Sequence, residues 1–230
     1  MKSELLIVIP AYNEEENIES VVTFIQEKYS QYDYIVVNDG SRDRTADICR
    51  QNGYELLNLP VNLGLAGAFQ AGLKYAYTKG YSYAIQFDAD GQHRPEFIGP
   101  MLERIKQGYD IVIGSRFVHS KKGNSPRTIG SKLITVAIKM TTGIRVSDPT
   151  SGMRMFSKGT INEFAQNLKY GPEPDTISYL LKNGAKISEV PVRMEERQAG
   201  ESYLNLVNSG KYMIKMLISI LFVQNFRKRG

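Results

Sequence analysis

Tryptophan is absent from this 230-residue chain, which has a single cysteine and only two histidines. One thiol, Cys49, excludes an internal disulfide, and so little Cys and His leaves scant material for a zinc site. No apolar run approaches the about 20 residues needed to cross a bilayer. No secretory leader is read either, because Leu5–Ile9 is short and runs into Pro10 and the acidic Glu14–Glu16. These absences predict a reducing, cytoplasmic setting. Also missing are a Walker loop and a G-x-G-x-x-G turn after the first apolar run. Leu63–Ala68 contains two glycines, but out of the dinucleotide pattern. Any phosphate-bearing ligand must therefore be held by other means. No repeat, low-complexity tract or linker interrupts the chain, and 42% hydrophobic with 23% charged residues is an ordinary globular composition.

The charge is unevenly placed. The net +5 comes from 29 basic and 24 acidic residues. Ser209–Gly230 holds Lys211, Lys215, Arg227, Lys228 and Arg229 and no acid, so the rest is balanced at 24 against 24. The basic pI of about 9.1 thus belongs to the tail and not to a broad nucleic-acid surface. The division expected is a domain over residues 1–208 and a basic amphipathic helix over 209–230. On that helix Lys211, Lys215 and Ser219 fall on one stripe, while Met, Ile, Leu and Phe cover most of the circumference. Such a helix can lie on an anionic membrane surface. It can equally pack on the core or on a second copy of the chain as a homo-oligomer. The wide apolar arc with purely basic ends favours the membrane.

Strand-length apolar runs at Leu5–Ile9, Tyr34–Val37, Tyr83–Phe87 and Ile111–Ile113, with a weaker one at Glu55–Leu59, alternate with helical patterns. Helices are predicted near Glu14–Tyr29, with Asn13 as N-cap, and near Arg44–Asn52, Leu65–Thr78 and Pro95–Lys106. Further helices are expected at Ile129–Met140 and Asp175–Asn183, and a strand at Lys186–Val192. This alternation predicts an α/β fold with an open, mostly parallel sheet flanked by helices. Ligands then bind outside the carboxyl ends of the strands, where the loops Pro10–Glu14, Asn38–Asp43, Asn62–Gly67 and Asp88–His93 gather.

Those loops carry chemistry. Asp88 and Asp90 stand at i and i+2 and point the same way in an extended chain. They could hold a hard divalent cation, Mg²⁺ or Mn²⁺, with Gln92 next in register. Taken alone, the same pattern fits a solvated turn. An EF-hand is excluded, since His93 falls where that loop requires glycine. A cation here could bridge to a diphosphate. Asp39 could accept hydrogen bonds from a base or ribose, or simply serve the turn beside Gly40. Arg116 and Arg154 would make a fork for a second phosphate if they converge, and surface ion pairs if they do not.

Taken together, the loops form a pattern. Val8-Ile9-Pro10-Ala11-Tyr12-Asn13-Glu14-Glu15, Val37-Asn38-Asp39-Gly40-Ser41, Asn62-Leu63-Gly64 and Asp88-Ala89-Asp90-Gly91-Gln92-His93 follow one another as in the family 2 GT-A glycosyltransferases, which the chain resembles. The likeness continues through Gly114-Ser115-Arg116-Phe117, Asp148–Arg154, Glu189-Val190-Pro191-Val192 and Arg197–Ser202. That later set resembles the polyprenyl-phosphate branch, typified by dolichol-phosphate mannosyltransferases and undecaprenyl-phosphate sugar transferases. The resemblance as a whole spans roughly residues 4–204. Two departures stand out: Gly91 replaces a residue often apolar in the family, and the long membrane helices of many relatives are missing.

The resemblance implies roles. Pro10, Tyr12 and Glu14 would line the nucleotide pocket, with Asp39 on base or ribose. Asp88, Asp90 and Gln92 would hold the metal and the diphosphate. Arg116 and Arg154 would receive the acceptor phosphate, with charge added by Arg197 and Lys211. Asp148 matches an acidic position beside the acceptor, so Asp90, Arg116 and Asp148 form the expected catalytic set. The implied reaction is inverting transfer from a nucleotide diphosphate sugar, UDP-linked by preference, to a polyprenyl phosphate such as undecaprenyl phosphate, for cell-surface glycan synthesis at the inner face of the membrane. A phosphate acceptor is already ionised at neutral pH and needs positioning more than a base. Transfer to a sugar hydroxyl is the alternative, and it would need a base, with Asp148 the candidate. A nucleotidyltransferase is disfavoured because Pro-Ala-Tyr-Asn-Glu-Glu stands where a Gly- and Arg-rich loop would be. A non-catalytic nucleotide-binding module is disfavoured by the intact Asp88, Asp90, Arg116 and Arg154.

Overall fold

Leu5–Ala11 is buried at every position, which requires a strand covered on both faces. The computed structural model describes residues 3–119, 123, 126–166, 171–193 and 206–224. Its strands are β1 (Leu5–Ala11), β2 (Asp33–Asn38), β3 (Leu56–Asn58), β4 (Tyr83–Gln86), β5 (Ile111–Ser115), β6 (Arg154–Ser157) and β7 (Ile187–Pro191). Its helices are α1 (Ile18–Lys28), α2 (Thr45–Gln51), α3 (Gly64–Lys79), α4 (Ile98–Lys106), α5 (Pro126–Thr142), α6 (Lys158–Gln166), α7 (Pro174–Lys182) and α8 (Leu206–Ile218). A single 3₁₀ turn at Pro95–Phe97 leads into α4. The strands form one sheet in the order β3-β2-β1-β4-β6-β5-β7. All neighbours are parallel except β6, which runs antiparallel to both β4 and β5. The expected α/β class with an open, mostly parallel sheet is what the chain forms.

Alternation along the strands divides the core into two layers. Leu6 and Val8 of β1 face α3, α5, α6 and α7, whereas Leu5, Ile7 and Ile9 face α1, α2 and α4. Cys49 lies in the second layer, fully buried.

The structure differs from the expectation in three places. Helix α1 begins at Ile18 and not near Glu14, because Asn13 takes a left-handed φ of 54° and the turn after it is tied to the loop beyond β2. There the Asn13 N–H donates to Ser41 Oγ (3.0 Å), the Glu14 N–H to Thr45 Oγ1 (2.9 Å) and the Glu15 N–H to Asp43 Oδ2 (3.0 Å). Strand β6 and helix α6 had no counterpart in the reading of the sequence. β6 is four residues long and opens on an arginine, so it shows neither the alternation nor the apolar run that marks a strand.

The third difference is the tail. Helix α8 starts at Leu206 and continues as a π-helical turn over Ser219–Val223. Met216 and Ile220 are buried in the same core layer as Ile134 and Ile138 of α5. A Cβ on Gly130 of α5 would sit 2.7 Å from Met213 Cγ, so only glycine lets these helices approach so closely. Polar bonds complete the seat: the Tyr212 hydroxyl donates to the Glu173 carboxylate, and Ser219 Oγ (2.6 Å) and Gln224 Nε2 (3.2 Å) donate to Asp175 Oδ2. Burial, with Glu173 beside it, raises the Tyr212 pKa well above the usual phenol value. Helix α8 thus packs on α5 and α7, the core-packed arrangement that the sequence left open beside the membrane. Among the described residues no helix is long and apolar enough to cross a membrane.

Candidate active site

Because β1, β2, β4 and β5 are parallel, their carboxyl ends share one edge. The antiparallel β6 starts at that edge, with Arg154 opposite Ile113 and Met155 opposite Ile85, which delivers the Asp148–Met153 loop to the site.

The segment after β4 is internally bonded. Gln86 Nε2 donates to Asp88 Oδ1 (2.9 Å), the Asp88 N–H to His93 Nδ1 (2.8 Å), and the Gln92 N–H to Asp90 Oδ1 (3.1 Å). The Asp88 side chain is 27% exposed and lies 3.5 Å from His93 Nε2. Asp88, Asp90 and Gln92 thus share one short, partly exposed loop. Among the described residues no cluster of three or more His, Cys, Asp or Glu gathers. Two carboxylates and an amide suit a cation that keeps water and phosphate oxygens in its shell, as Mg²⁺ or Mn²⁺ does.

On the opposite flank, Pro10 is buried in β1 beside Val37, and Tyr12 and Glu14 are partly exposed just beyond. The Glu14 carboxylate accepts from Asn17 Nδ2 (2.7 Å), and its carbonyl accepts the Asn17 and Ile18 N–H groups, so Glu14 also organises the start of α1. Asp39 is buried. Its N–H donates to the Ala11 carbonyl (2.9 Å), and its Oδ1 accepts the Leu63 N–H (2.7 Å). Burial raises its pKa, with the Leu63 and Gly64 N–H groups pulling the other way. That bond fixes the loop before α3 to the end of β2.

The flank expected to face the acceptor is organised by buried charge. Arg116 Nε donates to Asp148 Oδ2 (2.7 Å) and Nη2 to Oδ1 (2.9 Å), a bidentate fork, and the Arg116 N–H adds a third bond to Oδ2 (3.1 Å). The Asp148 side chain is fully buried, while that of Arg116 stays 37% exposed. The Ser147 and Asp148 N–H groups donate to the two oxygens of Glu189 (2.8 and 2.9 Å). Asp148 is therefore not placed as a base: both carboxylate oxygens are occupied and no solvent reaches them. Its work is to hold Arg116. Arg154 also departs from expectation, being only 5% exposed. Its Nη2 donates to the Pro149 carbonyl (2.9 Å) and its Nη1 to the Pro172 carbonyl, while its Nε is buried without a partner. It braces the loop from beneath and does not form a fork with Arg116. Lys211 is exposed on α8, and Arg197 lies outside the described residues.

Three residues at the site had no role assigned from the sequence: His93, Gly152 and Glu189. All three stood within motif segments, but their partners are distant in sequence or backbone atoms, which spacing does not reveal.

The sequence profile described as "Glycosyl transferase family 2" matches residues 6–164. The chain belongs to this family. It is a glycosyltransferase. Among similar proteins, undecaprenyl-phosphate mannosyltransferase of Micrococcus luteus is 31% identical over 87% of this chain and 87% of its own. UDP-N-acetylglucosamine--dolichyl-phosphate N-acetylglucosaminyltransferase of Methanococcus voltae is 32% identical over 82% of this chain and 84% of its own. These names agree with the resemblance to the polyprenyl-phosphate branch. For the fold, glucosyl-3-phosphoglycerate synthase of Mycobacterium tuberculosis, solved with Mn²⁺, UDP-glucose and phosphoglyceric acid, superposes with a TM-score of 0.72 at 19% identity. That match covers 100% of this chain and 82% of the other.

Proposed function

We propose that this family 2 enzyme transfers a sugar from a nucleotide diphosphate sugar, UDP-linked, to the phosphate of a polyprenyl phosphate such as undecaprenyl phosphate, with inversion. The observation that carries this reading is the Arg116–Asp148 pair. It offers a preorganised guanidinium at the strand edge, and the one acid suited by sequence to be a base is sealed beneath it. A sugar hydroxyl would need a proton acceptor. A phosphate monoester, with its second pKa near about 6, needs only to be held.

In this reading Pro10, Tyr12, Glu14 and Asp39 form the nucleotide side. Asp88, Asp90 and Gln92 would hold Mg²⁺ or Mn²⁺, which when bound neutralises charge on the departing diphosphate. Arg116 orients the acceptor phosphate, and Lys211 and Arg197 are the further basic residues that the resemblance assigns to it. A phosphate oxygen attacks the anomeric carbon opposite the leaving group. The bond from that carbon to the diphosphate oxygen breaks, and the products are a polyprenyl phosphate sugar and a nucleoside diphosphate. The relatives' names support this acceptor class, and one of them supports uridine.

The outer faces of α5 and α8 support a peripheral position at the inner membrane face. Ile129, Leu133, Val136 and Met140 form one exposed apolar stripe on α5, and Ile214, Ile218 and Phe222 form another on α8. The exposed Lys139, Lys211 and Lys215 accompany them. Apolar area with basic flanks fits an anionic lipid surface.

The test is incubation with labelled UDP-glucose, UDP-N-acetylglucosamine or GDP-mannose and undecaprenyl phosphate in phosphatidylglycerol vesicles. Label should pass into the organic extract with Mn²⁺ or Mg²⁺ and vanish with EDTA. No extractable label from any donor would remove the lipid acceptor.

A further inference from the structure

Beneath the two acidic residues lies a group that the reaction as described does not use. The His93 side chain is only 2% exposed, out of reach of either substrate. Its Nδ1 accepts the Asp88 N–H (2.8 Å), which leaves the ring proton for Nε2, facing Asp88 Oδ2 at 3.5 Å. Phe87 meets the ring edge-on, with centroids 5.4 Å apart. Asp88 is thus bracketed by Gln86 on one oxygen and His93 beside the other.

The acceptor loop closes over the same spot. A Cβ on Gly152 would stand 2.5 Å from Asp88 Oδ2 and 3.2 Å from both Cε1 and Nε2 of His93. The Gly152 backbone therefore rests directly on the Asp88–His93 contact, and any side chain there would push them apart. Gly152 belongs to the same short loop as Asp148, which holds Arg116, and it lies just before Arg154. Ser151 Oγ pins that loop to the Gly114 carbonyl at 2.5 Å.

We propose that His93 is a positioning residue that sets the Asp88 carboxylate for the cation and, through its contact with Gly152, fixes the acceptor loop against the metal-binding loop. Rearranging Asp88 then moves the loop that carries Asp148, so loading of the donor side and seating of the acceptor arginine are coupled at this contact. The inference rests on the reading of Asp88 as a residue that binds the cation.

The experiment is Mn²⁺ binding to the full chain with UDP present, read as loss of the free-ion EPR signal, beside thermal melting and separate KM values for donor and acceptor. Asp88→Asn and Asp90→Asn test the underlying reading: parental Mn²⁺ affinity in both would sink that reading itself. If they lose affinity, the positioning claim is tested separately. His93→Phe keeps the volume but neither nitrogen, and should weaken Mn²⁺ binding by roughly 10-fold or more. His93→Asn keeps an acceptor for the Asp88 N–H and should recover part of that loss. Gly152→Ala should weaken Mn²⁺ binding and raise the acceptor KM together. Parental Mn²⁺ affinity in a folded His93→Phe chain overturns the proposal. If that variant does not fold, Gly152→Ala decides alone, and parental affinity with only the acceptor KM changed overturns it equally.

Discussion

The proposed donor side and the proposed acceptor side of this edge are held by different kinds of bond. On the donor side, short loops after β1 and β2 exchange backbone and small polar groups: the Arg42 N–H donates to Asn13 Oδ1 (2.9 Å) and the Arg44 N–H to Glu15 Oε2 (3.0 Å). The metal-binding carboxylates proposed there are partly exposed and bonded to near neighbours on their own strand or loop. On the acceptor side, charges are sunk deeper into the fold: Asp148 is fully buried under Arg116 and Arg154 is buried on two carbonyls, while the half-buried Glu173 is bonded by Tyr212. Where a charge is exposed, its removal costs function and little stability. Where it is buried and paired, removing its partner costs both.

The sharpest way to break this contrast is Asp90→Ala. Turnover should fall about 10²- to 10³-fold, as for loss of an important charge-stabilising group, while the melting temperature moves by no more than about 2 °C. A large loss of stability would erase the distinction. Next comes Arg116→Met, which leaves Asp148 buried without its guanidinium. Urea unfolding should show a loss of about 3 kcal/mol, together with loss of transfer. A stability change as small as that of Asp90→Ala would place Arg116 in the exposed class.

Tyr212→Phe sharpens the acceptor side further. It strips the Glu173 carboxylate of a buried donor and should cost about 1–2 kcal/mol in urea unfolding with donor KM unchanged. The smallest effect belongs to Asp39. Its folded pKa is raised by burial, so its stabilising share is complete below the unfolded pKa and is lost as pH rises through the folded one. Asp39→Asn cannot ionise. Its melting temperature should therefore exceed the parent's at about pH 7, by under about 1 kcal/mol in stability, and the gap should shrink toward about pH 4. A gap independent of pH in calorimetry would contradict the raised pKa.

The same contrast explains what could be read from the chain alone. β1, β2, β4 and β5 announce themselves as apolar runs, and Asp88, Asp90 and Gln92 lie within one short stretch, so local spacing reveals them. The acceptor side depends on pairings between distant residues. Arg116 meets Asp148 across 32 positions, and Asp148 meets Glu189 across 41. Nothing local marks Asp148 as a buried anchor in preference to a base, or Arg154 as a brace in preference to a phosphate ligand. β6 escaped notice for the same reason: its stability comes from neighbours on both sides, supplied by segments before it in the chain. Asn13 looked like a helix cap because its type suits one, yet bonds to Ser41 and Arg42 hold it in a turn.

One consequence follows from Met216 and Ile220 lying among the core residues of α5. The surface proposed to meet lipid is the back of a helix whose front closes the protein interior. Clipping off that helix would unroof Ile134 and Ile138 along with any anchor, so a bilayer contact of this kind would be tuned by outward-facing positions such as Ile218 or Phe222 and not shed without unmaking the domain.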